Sequence, residues 1–353
     1  ELGRKIWLNI IANVVSNAAF IIIVIQALQD RLSIGDVTLY SNAASRVQSA
    51  FSGIIIAVSN VQECLLFFSR YNDLLTLSQP IYISPVPRSA ASLISSIELR
   101  HISFRYSEEH PWVFRDLNLT IPAGKCLALV GLNGAGKTTI VKLLTRMYDP
   151  SSGEITWNRS NIKEFDLQDF RRRIGVIFQD FVRFDLTVFE NIALGNIQAM
   201  NIENDQTMMA LVQQAAIKAG IHETIQTLPQ GYETTLSRWL VDDGEQGVDL
   251  SGGEWQKIAL ARLFMRDADF LILDEPTAAL DAKAESEIYH QFRELIKGKT
   301  CMLISHRFSS IRMADVIAVL DDGRIVEYGS HAELMKNNGK YSQLYQMQAA
   351  RYT

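Results

Sequence analysis

Charge is scarce over the start of this sequence: of its 34 basic and 39 acidic residues, only 11 fall within residues 1–96. A stretch so poor in charge is not the surface of an ordinary soluble domain. Neither sign dominates the whole, the net charge being −5, which argues against a protein built to coat nucleic-acid phosphates. Cysteine is rare too. Cys64, Cys126 and Cys301 are far apart and form no C-x-x-C pair, so neither a zinc ribbon nor a disulfide scaffold is indicated, and they read as reduced, structural thiols. His101, His110, His222, His290 and His331 do not cluster with cysteines or acids at ligand spacing, which argues against protein-bound zinc. No signal peptide, repeat, heptad run or low-complexity tract is visible. The first residue is Glu1 rather than Met, and more sequence is expected upstream.

What stands in place of charge is apolar length. Ile6 to Gln29 holds no Asp, Glu, Lys, Arg or His, and as a helix its 24 residues reach about 36 Å, more than a ~30 Å hydrocarbon core requires. Arg4 and Lys5 precede it, placing that end on the cytoplasmic side. The short connection Asp30 to Asp36 then turns the chain back into a second span at about 38–64. There Arg46 interrupts, and the uncharged run Val47 to Gln62 is only 16 residues. Ala43, Ala44, Ser49, Ala50, Ser52 and Gly53 suit this span to close helix packing. Asn9, Asn13 and Asn17 make one polar stripe on the first span, facing neighbouring helices or a substrate path. Pro80, Pro85 and Pro87, followed by four serines, predict an extended connector over 76–96. The expected organisation is therefore a membrane segment over 1–75, a linker over 76–96 and a soluble domain over 97–353.

The soluble part opens on an alternating strand, 97–104, and then an apolar strand, Cys126 to Val130. GLNGAGKTT follows at Gly131–Thr139. It fits G-x-x-x-x-G-K-[ST] and leads into a helical run, the context a phosphate-cradling loop needs. Gly131, Gly134 and Gly136 let the backbone curl, while Asn133 and Ala135 complete the turn, so that N–H groups face phosphate oxygens at a helix N-terminus. Lys137 supplies a full charge for the β and γ phosphates. Thr138 offers a hydroxyl to Mg²⁺, and Thr139 follows in the same turn.

A second apolar strand, Phe270 to Leu273, ends in Asp274-Glu275, at the sheet edge that carries nucleotide in open α/β folds. Asp274 is placed to hold the metal shell, and Glu275 to orient or deprotonate an attacking water. A third strand, Cys301 to Ser305, ends at His306, within reach of a γ-phosphate. Asp321-Asp322-Gly323-Arg324, between two apolar runs, predicts a hairpin turn.

With LSGGE at Leu250–Glu254, these residues resemble the nucleotide-binding domain of ATP-binding cassette (ABC) proteins. Tyr106 resembles the adenine-stacking aromatic of that family, Gln179 in GVIFQD its Q-loop, Asp281 in AALD its D-loop, and His306 in ISHR its switch histidine. The resemblance implies an α/β P-loop NTPase fold of ABC type: a parallel-sheet core, an antiparallel β subdomain and a helical signature subdomain. It also implies that ATP and Mg²⁺ bind Tyr106, the loop 131–139, Asp274 and Gln179. Ser251, Gly252, Gly253 and Asp281 then close over the ATP of a second subunit, and Glu275, Gln179 and His306 serve hydrolysis. Ser251 to Gly253 suit this role physically, since they open a helix with bare N–H groups and a hydroxyl at its positive end.

Glu245 in DGEQG resembles the X-loop acid of exporters, although Gln stands where Arg is common, and 178–195 resembles bacterial peptide or lantibiotic exporters. The expectation is the C-terminal part of an exporter half-transporter in the cell membrane, its ATPase domain cytoplasmic. It would pair as a homodimer, with four further helices upstream and no nucleic-acid partner. The alternatives are a soluble ABC ATPase acting on nucleic acid or ribosomes, and an importer ATPase.

Overall fold

The computed structural model describes residues 18, 20–29, 33–76, 81–178, 180–202, 205–237, 247–274, 296–305 and 311–349. The chain divides into two compact units, Glu1–Gln79 and Pro80–Thr353.

In the first unit residues 20–28 are helical, and a single helix runs from Ile34 to Thr76. Ser33 starts it: its hydroxyl accepts from the Asp36 N–H at 3.2 Å while the Asp36 carboxylate takes the Ser33 N–H at 3.0 Å. At 43 residues this helix is about 64 Å long, twice a hydrocarbon core. It outruns the expected 38–64 because Glu63, Arg70 and Asp73 change its polarity without breaking its backbone ladder. Among the described residues it is the one helix long and apolar enough to cross a membrane: the apolar window within Gly35–Leu75 has a mean hydropathy of 1.6 and none of it is buried. Ile54, Val61, Leu65, Phe67 and Phe68 all stand exposed along it. Most of the expected first span, 6–29, lies outside the described residues.

The second unit contains two sheets. In the smaller, four strands pair antiparallel in the order β2-β1-β4-β5: β1 is Ser96–Phe104, β2 Phe114–Pro122, β4 Ser152–Trp157 and β5 Ser160–Asn161. Along β1 the buried residues are Ile97, Leu99, Ile102 and Phe104, so the period of two slips by one residue. The slip is a β-bulge between Leu99 and Ile102, where His101 takes a φ of 51°.

The larger sheet runs β10-β9-β3-β8-β7-β6: β3 is Cys126–Val130, β6 Ile174–Ile177, β7 Phe270–Asp274, β8 Thr300–Ile304, β9 Val316–Asp321 and β10 Arg324–Gly329. All pairings are parallel except β9 with β10, which turn at Asp322-Gly323 as a hairpin. Covered on both faces, β3, β7 and β8 are buried at every residue, which is why they read as unbroken apolar runs. Alternation sorts their side chains. Leu127, Leu129, Ile272 and Met302 pack with Ile140, Leu144 and Trp157, while Leu271, Leu273 and Leu303 pack with Val212, Trp255 and Ile258 on the helical side.

Two expectations are modified. The stretch 81–95 is extended but fastened down. Asn158 Oδ1 accepts from the Ile94 and Ser95 N–H groups at 2.9 and 3.0 Å, Asp169 Oδ2 accepts from Ala90 at 2.8 Å, and Trp157 Nε1 donates to Ala91 O at 2.8 Å. The cysteines are not all separate thiols either: Cys126 and Cys301 face each other in register on β3 and β8, Cα atoms 4.5 Å apart, and form a disulfide, while Cys64 is free. Their 175-residue separation hides a pairing that only the strand register creates.

Candidate nucleotide site

The carboxyl end of β3 leads into the loop Gly131–Gly136, which opens the helix Lys137–Leu144. The N-cap is Gly136 at φ 106°, a conformation that favours glycine, and a Cβ there would strike the Phe114 ring. Gly131 is required by proximity instead: a Cβ would collide with the Leu320 carbonyl on β9. The loop thus curls tightly against the neighbouring strand. Ala135 N donates to Leu132 O at 3.2 Å across its turn, and Asn133 and Gly134 are exposed.

Lys137 is only 7 % exposed, and its Nζ donates to Gly131 O at 2.8 Å and to Leu132 O at 3.0 Å. The cation is therefore held inside the loop by the carbonyls whose own peptides build the cradle. Thr138 Oγ1 lies 3.4 Å from Asp274 Oδ2, 136 residues away, at the end of β7. Asp274 is 3 % exposed, beside Ile304 in the β7–β8 register. A hydroxyl and a carboxylate oxygen side by side, close to a buried ammonium, form a hard-oxygen donor set that fits Mg²⁺ next to phosphate.

Tyr106 stands over the same helix. Its hydroxyl is 3.0 Å from Thr139 Oγ1, Lys142 Nζ lies 5.2 Å from its ring centroid, and Phe104 and Tyr148 pack edge-on against it at 5.0 and 5.2 Å. The ring is 38 % exposed, an aromatic surface held in place at the rim of the loop.

The LSGGE segment opens the helix Gly252–Phe264. Ser251 is its N-cap in a reciprocal box with Glu254, and Ser251 and Gly252 are exposed. This terminus is a separate element from the phosphate loop.

Of the sequence-predicted residues, the structure brings together Tyr106, the 131–139 loop and Asp274. Gln179, Glu275, Asp281, His306 and the X-loop acid Glu245 lie outside the described residues. One residue that the motifs do not flag is Arg262, in the last turn of the signature helix. Its Nε donates to Asn191 O at 2.8 Å and Nη1 to Val182 O at 2.7 Å, and Nη2 contacts Asn191 Oδ1. Burial pushes this guanidinium down to about 10. It ties the signature helix to the segment following Gln179, and an arginine on a helix face otherwise made of Ile258, Ala259 and Ala261 was the available signal.

The family model for ABC transporters matches residues 114–278. A protein of Alkalilimnicola ehrlichii named as an ATP-dependent lipid A-core flippase is 42 % identical over 252 residues, 71 % of this chain and 40 % of that protein. A Staphylococcus aureus protein named for multidrug export, as an ATP-binding/permease protein, is 41 % identical over 252 residues, 71 % of this chain and 41 % of its own length. The structure of a bacterial Atm1-family ABC exporter with ATP bound superposes with a TM-score of 0.71 at 31 % identity, covering 99 % of this chain and 58 % of that one. The chain spans about two fifths of the length of each of these two relatives.

Proposed function

From a chain that belongs to the ABC transporter family, whose family model matches residues 114–278, we propose the ATPase portion of an exporter that works as a pair of half-transporters. The observation that carries the nucleotide chemistry is the meeting of Thr138 and Asp274 at 3.4 Å beside the buried Lys137. Exporters so named among the relatives, together with an apolar helix, Gly35–Leu75, on the same chain as the ATPase, support a membrane setting.

In this reading Lys137 and the loop N–H groups bind the β and γ phosphates of ATP, and Tyr106 stacks on its base. Thr138 and Asp274 would hold Mg²⁺ with Gln179, and the ion's charge offsets that of the phosphates. Glu275 orients the attacking water and takes its proton, and His306 contacts the γ-phosphate. Ser251, Gly252 and Gly253 of the second subunit donate to that same phosphate from the opposite side, with Asp281 at the seam. ATP thereby bridges two chains, and loss of the γ-phosphate on hydrolysis removes the bridge. Arg262 is the physical link by which the signature helix feels the Q-loop side, because it holds Asn191 and Val182 directly.

The test is hydrolysis by the protein in lipid nanodiscs. Release of phosphate that depends on MgATP and is lost in Lys137→Ala supports the reading; hydrolysis unaffected by that change removes the loop from its role. Carbonate extraction of membranes tests the setting: the chain should stay in the pellet, and recovery in the supernatant sinks the membrane claim.

A further inference from the structure

The phosphate loop is backed by the two helices after β10. Val130, the last residue of β3 before Gly131, packs in one buried cluster with Val319 of β9, Leu334 of the helix His331–Asn337 and Tyr341 of the helix Lys340–Ala349. Leu320, next along β9, sets its carbonyl against Gly131, and Asp321 Oδ2 pairs with Lys340 Nζ at 3.1 Å. Two lines of contact therefore run from the start of the helix Lys340–Ala349 to Gly131. One passes through Tyr341 and Val130, the other through Lys340, Asp321 and Leu320.

Glu327, on the edge strand β10, fixes that helix start. Its Oε1 accepts from the Lys340 N–H at 2.5 Å and its Oε2 from the Tyr341 N–H at 3.0 Å. The acid comes from a strand 13 residues earlier, so the contact is tertiary and not part of the helix's own turn. A Cβ on Gly339 would run into the same carboxylate, so the chain is brought as close as a glycine allows. Both bonds are charge-assisted and each takes its own oxygen, whereas a glutamine amide has a single oxygen to offer and no charge. We infer that Glu327 is a positioning residue for the phosphate cradle: by anchoring Lys340 and Tyr341 it holds the ends of β3 and β9 that support Gly131. Nucleotide affinity then depends on a carboxylate that is no part of the cradle. This rests on the reading of the loop 131–139 as the ATP phosphate site.

Glu327→Ala and Glu327→Gln are compared with wild type and Lys137→Ala in nanodiscs, for binding of a non-hydrolysable ATP analogue and for MgATP hydrolysis. Analogue affinity should fall about five-fold or more in Glu327→Ala and by less in Glu327→Gln, with KM for MgATP rising while the maximal rate stays near wild type. Unchanged affinity in folded Glu327→Ala overturns the role of Glu327, as does a rate that falls only with the folded fraction at constant KM. Should Glu327→Ala not fold, the wild type decides, because coupling is reciprocal. Saturating analogue should then slow hydrogen exchange of the Tyr341 amide while that of Ala90, held by Asp169, changes little. An equal effect on both amides, or none on Tyr341, overturns the inference. A wild type that binds no analogue, or a Lys137→Ala protein that binds it as well as wild type, removes the nucleotide reading and this inference with it.

Discussion

Arg146 and Asp149 form an ion pair at 3.6 Å, Nε to Oδ1, with side chains only 1 % and 10 % exposed. The two residues just follow the phosphate-loop helix, and together they hold one residue of the connector by both its backbone groups. Arg146 Nη2 donates to Tyr82 O at 2.6 Å, and Tyr82 N donates to Asp149 Oδ2 at 2.8 Å. Arg146 Nη1 reaches Ile162 O at 3.0 Å, so one guanidinium joins the connector to the antiparallel-sheet region. Burial lowers the pKa of Arg146 and the Asp149 charge opposes that shift, so removing either partner strands the other in a dry site.

Replacing Arg146 with Met should accordingly cost about 3 kcal/mol of stability, because Asp149 and the Tyr82 carbonyl are left without their cation. Arg146→Met combined with Asp149→Asn should recover part of that loss. Urea unfolding of the two variants against wild type checks both statements, and a single variant within experimental error of wild type would show the clamp to be energetically idle.

A second fastening of the connector is sensitive to pH. Asp169 accepts from the Ser89 hydroxyl and the Ala90 N–H, and these bonds, with Ser89 the larger, hold its carboxyl below the usual 3.8. A lowered carboxylate pKa adds stability that is fully present above the ordinary value and is lost as the pH falls through the lowered one. Protection of the Ala90 amide from hydrogen exchange should therefore decline below about pH 4, and in Asp169→Asn it should be weak at every pH. Equal protection in the two proteins would dismiss the contact.

How much of this was readable beforehand follows from the range of each interaction. The 131–139 loop is legible because a phosphate must be met by consecutive residues, and Asp274 is legible because a buried strand that ends in an acid has few other uses. The clamp on Tyr82 is not: its partners, the donor Arg146 and the acceptor Asp149, lie 64 and 67 residues away. The Cys126–Cys301 pairing depends on which strands become neighbours, and the bulge in β1 on a one-residue change of phase that a short alternating run conceals. The helix Ile34–Thr76 passed its expected end because composition marks where a helix changes solvent, not where its hydrogen bonds stop.

The roles assigned to Lys137 and Glu275 differ in what their loss leaves behind. Lys137→Ala removes charge from the phosphate cradle and should weaken binding of a non-hydrolysable ATP analogue by at least about ten-fold. Glu275→Gln leaves the cradle intact, so it should bind ATP yet hydrolyse it at least about a hundred-fold more slowly, accumulating as a nucleotide-retaining pair. Filter binding and phosphate release separate the two. A Glu275→Gln protein turning over at the wild-type rate would take that residue out of the chemistry.

Arg262 makes a prediction that distinguishes geometry from charge. Its planar fork reaches the Asn191 carbonyl, the Asn191 side chain and the Val182 carbonyl at once, whereas a lysine offers a single ammonium on a flexible stem. Arg262→Lys keeps the charge but cannot meet all three acceptors, and where the buried Asn191 is the one left short the loss is about 1–3 kcal/mol. Since Val182 and Asn191 bound the segment that follows Gln179, ATP hydrolysis should fall further than the loss of folded protein explains, while analogue binding at Lys137 stays near wild type. Melting temperature, analogue binding and hydrolysis rate on the same preparation test this. A rate that falls only in proportion to the folded fraction would make Arg262 a packing residue with no part in linking the signature helix to the Q-loop.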